Sequence, residues 1–194
     1  TPILDPNRPG VAHSVITDAW GLYFAQGGVV MAAALRAMAA VLDRHDLALA
    51  SASAVFCRPV ACGPVETTVG ILRNGRRGAQ VQGMLRDQTA PEGSVSVAVT
   101  AVFTDPDMSG PRLSPIQRPA ELATPPPSET ERDVFENRFP LGFLDNTQWH
   151  QAASSALSTG GDGDVPRIAL WFRFTDPPAA LDVEWNPALL PIPG

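Results

Sequence analysis

Two adjacent glycines, Gly27 and Gly28, stand directly before a long apolar run. If a helix starts there, its first backbone amides have no intrahelical acceptors, and the helix dipole places partial positive charge at that end. Without Cβ atoms, the backbone can also approach a ligand closely. The pair could therefore donate hydrogen bonds to a carbonyl oxygen that gains negative charge during a reaction. The other interpretation is a tight turn that requires glycine for its backbone angles.

Gln26, which precedes the glycines, and the histidines are the other polar candidates. Gln26 could hold a water molecule or a carbonyl oxygen, or it could bond its own backbone; a neutral amide is no general base. His13 and Asp18 flank a predicted strand, and each could reach the same turn or remain solvated. We expect His45 on the surface after the helix, and His150 has no partner that the sequence assigns.

The common motifs of hydrolases and metal sites are absent from the sequence. It contains no G-x-S-x-G elbow, no H-E-x-x-H pair and no assignable Ser-His-Asp set, which disfavours serine and zinc hydrolases. Cys57 and Cys62 match no common metal-site spacing, and we interpret them as reduced thiols of a cytosolic protein. We therefore predict neither a metal nor a cofactor.

Arginine supplies all 14 basic side chains, and Arg73, Arg76 and Arg77 cluster at a turn between predicted strands. Arginine binds phosphate in a bidentate manner, so the cluster could contact a phosphorylated ligand; the alternative is a charged hairpin tip that keeps the turn soluble. The chain has 20 acidic side chains and a net charge of −6. Its scattered arginines form no basic stripe, which argues against nucleic-acid binding.

Residues 29–42 form an apolar run in which Arg36 is the only polar residue. The run is shorter than the roughly 20 residues that span a membrane, so we predict no membrane span. A helix that is apolar nearly all round belongs in a protein interior. Its many alanines make it thin enough for a sheet to approach closely. Met31 and Leu35 lie on this helix and could serve both the core and a binding site for an apolar ligand.

Strand-like runs stand on both sides of this helix. Four long runs follow it and two short runs precede it, at residues 47–60, 64–74, 79–88, 94–104, 13–19 and 22–24. The long runs contain apolar residues at alternating positions and are joined by tight turns such as NGRRG. Consecutive hairpins predict an antiparallel sheet with the helix packed against one face. The predicted fold class is α+β, a hot-dog fold in which the sheet wraps around a buried helix.

Prolines divide the chain. Twenty of the 194 residues are proline, about twice the average usage, and they concentrate between residues 106 and 127. Proline lacks an amide donor, so this segment is neither a central strand nor a long helix. We predict an N-terminal hot-dog domain, a proline-rich linker and a partial second hot-dog unit, at residues 1–104, 105–132 and 133–194.

The predicted second unit is incomplete. It has two predicted strands, at residues 134–144 and 167–175, and a loop at 154–166. A partial sheet leaves open edges and an uncovered apolar face, which is costly in water. We therefore expect either that the chain is a fragment or that another surface covers this sheet.

Three features occur in a characteristic order: the Gly-Gly of FAQGGVVMAAALRAMA, the RPV…GPV corner at residues 58–65 and the LRNGRR turn at residues 72–77. Together they resemble the thioesterase-like double hot-dog family related to bacterial acyl-CoA thioesterase II, over residues 12–104 and more weakly across to WFRFTDPP and LDVEWNPALLP. The resemblance implies tandem hot dogs and hydrolysis of acyl-CoA in a tunnel where two hot dogs meet. It places the catalytic Asp on the helix of the second unit, which we expect beyond residue 194.

The first hypothesis is an acyl-CoA thioesterase that hydrolyses acyl thioesters to free acid and thiol by water attack. Its candidate catalytic residues are Gln26, Gly27 and Gly28, and its candidate substrate-binding residues are Met31, Leu35, Arg73, Arg76 and Arg77. The alternative is a non-catalytic protein that binds acyl thioesters or acts as a scaffold. A hot-dog hydratase is disfavoured, because His13 and Asp18 make a poor acid–base pair. The expected partners are acyl-CoA or an acyl carrier thioester, and further copies of the chain paired through their sheets.

Overall fold

The computed structural model describes residues 1–21, 23–110, 142–151, 170–176, 187–189 and 191–192. The contacts divide the chain into two compact units, Thr1–Ser109 together with Ala180–Gly194, and Gly110–Ala179. Residues 180–194 are predicted to belong to a second hot-dog unit, but the contacts group them with the first unit. The predicted linker at 105–132 and the predicted loop at 154–166 lie wholly or largely outside the described residues.

A six-stranded antiparallel sheet and one long helix form the first unit. The spatial order of the strands is β1-β2-β4-β5-β6-β3. The strands are β1 Ile3–Leu4, β2 Val11–Ile16, β3 Ala48–Phe56, β4 Gly63–Gly75, β5 Gly78–Asp87 and β6 Val97–Thr104. The helix α1, Gly27–Leu42, connects β2 to β3.

The core of the first unit lies between α1 and one face of the sheet. Every second residue of β6, from Val97 to Phe103, is buried, as expected for a half-buried strand. Leu35 and Met38 of α1 are at most 1% exposed. A Cβ on Gly83 of β5 would come within 2.8 Å of the Met38 sulfur, so the sheet approaches the helix as closely as its small residues allow. The predicted α+β hot-dog fold is confirmed.

The pairing of β3 differs from the prediction. A hairpin between β3 and β4 is predicted. In the structure β3 instead pairs with β6 and is an edge strand of the six-stranded sheet. Irregular register between Leu49 and Ser51, and between Ile71 and Arg73, bends β3 and β4. Such bends help a sheet to curve around a helix.

Two predicted short strands also differ from the structure. The strand predicted at residues 13–19 ends at Ile16, and a 3₁₀ turn, Asp18–Trp20, follows it. The strand predicted at 22–24 is wrong for its described residues, Tyr23 and Phe24, which lie in a bend. Leu22 lies outside the described residues.

The described part of the second unit is a helical turn and a two-stranded sheet. The turn α2, Gly142–Asp145, precedes β7, Thr147–Gln151, which pairs antiparallel with β8, Leu170–Phe174. The strand predicted at 134–144 is therefore wrong at its described end, because the Thr147 hydroxyl donates to the Phe143 carbonyl and closes the helical turn. The strand predicted at 167–175 corresponds to β8.

Edge-to-face aromatic contacts stabilise this small sheet. The ring centroids of Trp149 and Phe172 lie 4.9 Å apart, and those of Phe172 and Phe174 lie 5.0 Å apart. His150 is buried, and its Nδ1 makes no hydrogen bond to any residue that the structure describes. Across the described parts of both units, no helix has the length and the apolar character needed to cross a membrane.

Candidate functional site

Helix α1 begins at a turn that is bonded to the segment before β4. The backbone of Gln26 is extended, so Gln26 is the N-cap, and its side-chain Oε1 accepts a hydrogen bond of 2.8 Å from the Val29 amide. The Ala25 amide donates to the Val60 carbonyl at 2.9 Å. These two bonds fix where the helix starts and hold the turn against residues 57–60.

The last described residues of the chain cover one side of this helix start. The Gln26 Nε2 donates to the Ile192 carbonyl at 3.1 Å, and Ala188, 7% exposed, packs into the core of the first unit. A Cβ on Gly28 would overlap the Pro191 carbonyl oxygen and lie 2.7 Å from the Ile192 Cα. Glycine at position 28 therefore allows backbone to pack on backbone.

Gly27 and Gly28 are adjacent but have different surroundings. Neither amide donates to an acceptor among the described residues. Gly28 is buried beneath Pro191, whereas Gly27 lines a cavity of about 330 Å³. A Cβ on Gly27 would lie 3.5 Å from the Phe56 ring, an ordinary contact. Of the two predicted donors, Gly27 is the one beside open space.

The walls of this cavity are largely apolar. The bend before α1, the first turn of α1 and the end of β3 with the residues after it form these walls. Their apolar lining residues are Phe24, Ala25, Val30, Phe56, Pro59 and Val60. Cys57 and Arg58 complete the lining. The Cys57 and Arg58 amides donate to the Ser96 carbonyl at 2.8 and 3.1 Å, so the start of β6 holds this wall in place.

Asp87 holds the next part of the same segment. Its carboxylate accepts hydrogen bonds from the amides of Ala61, Thr89 and Ala90 and from the Thr89 hydroxyl, at 2.7 to 3.0 Å. Burial raises the pKa of Asp87, but these hydrogen bonds to the charged form outweigh burial, and the pKa lies below its usual value. Asp87 thus stabilises the corner between β3 and β4.

Cys62 and Asp18 lie near the turn but do not line the cavity. Burial raises the pKa of the Cys62 thiol, and the Asp18 carboxylate raises it further. A Cβ on Gly21 would come within 2.9 Å of the Cys62 sulfur. Cys62 is therefore a packed thiol in its protonated form.

Met31 and Leu35 contact the core rather than the cavity. Leu35 is 1% exposed inside the core, and Met31 is half-buried against it. Neither residue lines the cavity at Gly27. Their role in substrate binding stays a prediction.

The structure does not bring the arginine cluster to this cavity. Arg73, Arg76 and Arg77 are exposed at the β4–β5 hairpin. That hairpin is bonded to Arg44, just after the C-terminal end of α1. A helix of 16 residues is about 24 Å long at 1.5 Å per residue. The two groups of candidate residues therefore lie at opposite ends of α1.

His13 belongs to a separate ionic cluster on β2, on β4 and on the turn that joins β1 to β2. Its Nε2 lies 3.1 Å from Asp5 Oδ2, and Arg8 donates to Glu66 Oε2 at 2.6 Å. The hydrogen bond from His13, together with those from Asn7 and Arg8, holds the pKa of Asp5 well below its usual value. His45 is exposed. No group of three side chains suited to metal binding occurs within the described residues.

The family model for the acyl-CoA thioesterase N-terminal domain matches residues 16–104. Over these residues the chain is therefore similar to this family. The resemblance predicted from the sequence is thereby confirmed, and every residue that lines the cavity lies within the matched residues. No curated protein matches the sequence of the chain.

Several solved structures are similar to this chain in fold. A hot-dog protein of unknown function from Alicyclobacillus acidocaldarius has a TM-score of 0.72 and 20% identity, over 99% of this chain and 65% of its own. The tesB protein of Mycobacterium avium subs paratuberculosis has a TM-score of 0.65 and 16% identity, over 97% and 64%. A Thermobifida fusca YX protein, provisionally named a thioesterase II, has a TM-score of 0.61 and 23% identity, over 80% and 55%.

This chain therefore spans less than two thirds of the length of each of these structures. At these identities the likeness concerns the fold alone. The sequence-based prediction included Gly27, which lines the cavity, but not Arg58 or the phenylalanines of the cavity wall. The RPV corner at Arg58 was a usable signal, since it contributed to the family resemblance.

Proposed function

We propose that this chain is part of an acyl-CoA thioesterase, and that the cavity at Gly27 receives the acyl thioester. The observation that carries the proposal is an apolar cavity beside a backbone amide that has no acceptor among the described residues, inside a thioesterase domain. An apolar space fits an acyl chain, and an available amide fits the thioester oxygen. The thioester is carried by coenzyme A or by an acyl carrier.

In the proposed reaction the Gly27 amide donates to the thioester oxygen as that oxygen gains negative charge. Water adds to the carbonyl carbon, the C–S bond breaks, and sulfur leaves with the electron pair and takes up a proton. The products are a carboxylate, a thiol and one released proton. A donor of this kind contributes about 2.7–4 kcal/mol to the transition state in well-studied hydrolases.

Gln26 positions the helix start instead of activating water. Its side-chain oxygen caps Val29 and its side-chain nitrogen binds the Ile192 carbonyl, so both ends are engaged. Helix α1 contains no carboxylate, and no carboxylate or imidazole is among the described residues that line the cavity. We infer that the general base comes from outside this lining.

The lack of a carboxylate or imidazole in the described lining favours one alternative, a protein that binds acyl thioesters without hydrolysing them. Without a base at the cavity, the chain would retain the apolar space and the amide donor but not the means to deprotonate water. The two functions differ in turnover, not in binding.

Incubation with acyl-CoAs of several chain lengths separates the two functions. If the chain is a thioesterase, we expect the thioester absorbance to fall at a rate proportional to protein concentration. The absorbance is followed directly, because the exposed Cys57 would itself react with a thiol reagent. Gly27→Leu should abolish turnover by filling the cavity, whereas Tyr23→Leu, an exposed neighbour that does not line it, should not. Binding of acyl-CoA without turnover by the full gene product would contradict the thioesterase proposal and support the alternative.

We also propose that copies of the chain associate through β3. This strand of nine residues contains no charged residue and no proline, and it pairs only with β6 among the described strands. An open, uncharged edge strand readily pairs with another strand. Light scattering on the wild-type protein and on Val55→Lys, which places a charge on this edge, tests the association.

A further inference from the structure

The cavity at Gly27 is lined by one arginine and, among the described residues, by no acidic group. Arg58 is its only charged lining residue among those described. In the described part of the chain Arg58 forms no ion pair, whereas Arg44 pairs with Asp46, Arg77 with Asp105 and Arg86 with Glu66. Arg58 is an exposed residue, it lines the cavity beside apolar residues, and its backbone amide donates to the Ser96 carbonyl.

We propose that this cavity binds a small carboxylate anion with a short apolar tail. The carboxylate lies on the Arg58 guanidinium, and the tail lies between Phe24 and Phe56. A guanidinium presents parallel N–H donors that match the two oxygens of a carboxylate, and such charge-assisted bonds are stronger than neutral ones. Phe24 and Phe56 are each 52% exposed without a ligand, so an apolar tail would remove their ring surface from water.

The size of the cavity limits the length of the tail. About 330 Å³ lies at the lower end of small-molecule sites, which measure roughly 300–1,000 Å³. A neutral ligand of the same shape would fill the space but leave Arg58 without a counter-charge. A carboxylate without a tail would pair with Arg58 but leave the apolar walls hydrated. The lining thus fits both parts of a short-chain carboxylate together.

Identification of this anion as the acid released from the thioester rests on the proposed function, whereas the binding site itself does not. A carboxylate that stays bound at Gly27 after the C–S bond breaks would compete with the next acyl thioester. A carboxylate from another source would occupy the same lining. Binding is therefore measured separately from turnover.

Calorimetric titration of the full chain with hexanoate and with the neutral hexanamide at pH 7 tests the proposal. Hexanoate should bind more tightly than hexanamide, and added salt should weaken the binding of hexanoate only. Arg58→Gln should weaken hexanoate binding by about tenfold and leave hexanamide unchanged. Arg36→Gln, which removes a charge from the middle of α1 away from the lining, should change neither.

A second pair of variants tests the apolar part of the site. Phe24→Ala should weaken both ligands, whereas Tyr23→Ala, one residue away and outside the lining, should weaken neither. Equal affinity for hexanoate and hexanamide, an unchanged Arg58→Gln variant, or no binding of hexanoate would each overturn the inference. Hexanoate binding without acyl-CoA turnover would contradict the proposed function alone, and turnover without hexanoate binding would contradict this inference alone.

Discussion

The two ends of helix α1 are built in opposite ways. At the C-terminal end, Asp43 adopts a left-handed conformation with φ of 50°, and its amide donates to the Ala39 carbonyl. Arg44 then donates to Asn74 Oδ1 at 2.7 Å and to the Gly75 and Arg76 carbonyls at 3.1 and 3.0 Å. This end of the helix is therefore bonded to the β4–β5 hairpin.

At the N-terminal end, only part of the helix start is bonded. Gln26 caps Val29, and the Ile192 backbone accepts from Gln26, but the Gly27 amide beside the cavity has no acceptor among the described residues. The comparison indicates that the C-terminal end serves stability and that hydrogen-bonding capacity remains at the N-terminal end. This is why we place the chemistry there and not at the arginine hairpin.

Among the variants considered, substitution of the two glycines should produce the largest difference in stability. Gly28→Ala places a Cβ against the Pro191 carbonyl, so we expect the free energy of unfolding to fall by about 2–3 kcal/mol. Gly27→Ala has room at the Phe56 ring, and alanine favours a helix, so it should change stability by less than about 1 kcal/mol. Urea unfolding measures both variants. Equal losses would show that the two glycines do not differ as described.

Removal of the Asp87 carboxylate should destabilise the segment that forms the cavity wall, by less than Gly28→Ala does. Asp87→Ala leaves the amides of Ala61, Thr89 and Ala90 without their acceptor, at a cost of about 1–2 kcal/mol. Glu92→Ala, an exposed carboxylate on the turn that follows, is the matched control and should change little.

The same carboxylate predicts a dependence on pH. Because the folded-state pKa of Asp87 is lowered, its contribution to stability is complete above the unfolded value of about 3.9 and is lost as pH falls through the folded value. Asp87→Asn should therefore lose less stability than the wild type between pH 5 and pH 2, roughly the range in which a carboxylate titrates. An identical pH dependence would contradict this assignment.

Truncation of Arg44, at the C-terminal end of the helix, should have the smallest effect. Arg44→Ala removes the donors to three hairpin acceptors, so the amides of the β4–β5 hairpin should exchange faster with solvent. Arg76→Ala removes an exposed side chain but keeps the carbonyl that accepts from Arg44, so it should leave exchange unchanged. Faster exchange at the cavity wall instead of the hairpin would disprove the proposed role of Arg44.

Local sequence patterns predicted most of the first unit. The apolar run ending at Leu42 produced α1, and the alternation in β4, β5 and β6 produced three strands with bounds close to those observed. These features depend on which face of an element is buried, and the spacing of apolar residues within a single segment shows that face. The fold class followed from one buried helix among antiparallel strands.

Non-local pairing could not be predicted in the same way. The sequence places β3 next to β4 along the chain, but β3 pairs with β6, and nothing within either strand encodes that choice. Likewise, the sequence selected Gly27 and Gly28 together, since both are glycines at a helix start. Their difference depends on Pro191, which lies more than 160 residues away and approaches only one of them.

The contacts of residues 187–189 and 191–192 with the first unit have a consequence for synthesis on the ribosome. Ser109 ends the first stretch of that unit, and Ile192 lies 83 residues later. At roughly 5–20 residues per second, a nascent chain needs roughly 4–17 s to make this interval. Until Ala188 is made, the core residues that it covers lack that contact, so we expect the nascent first unit to expose apolar surface to which chaperones bind.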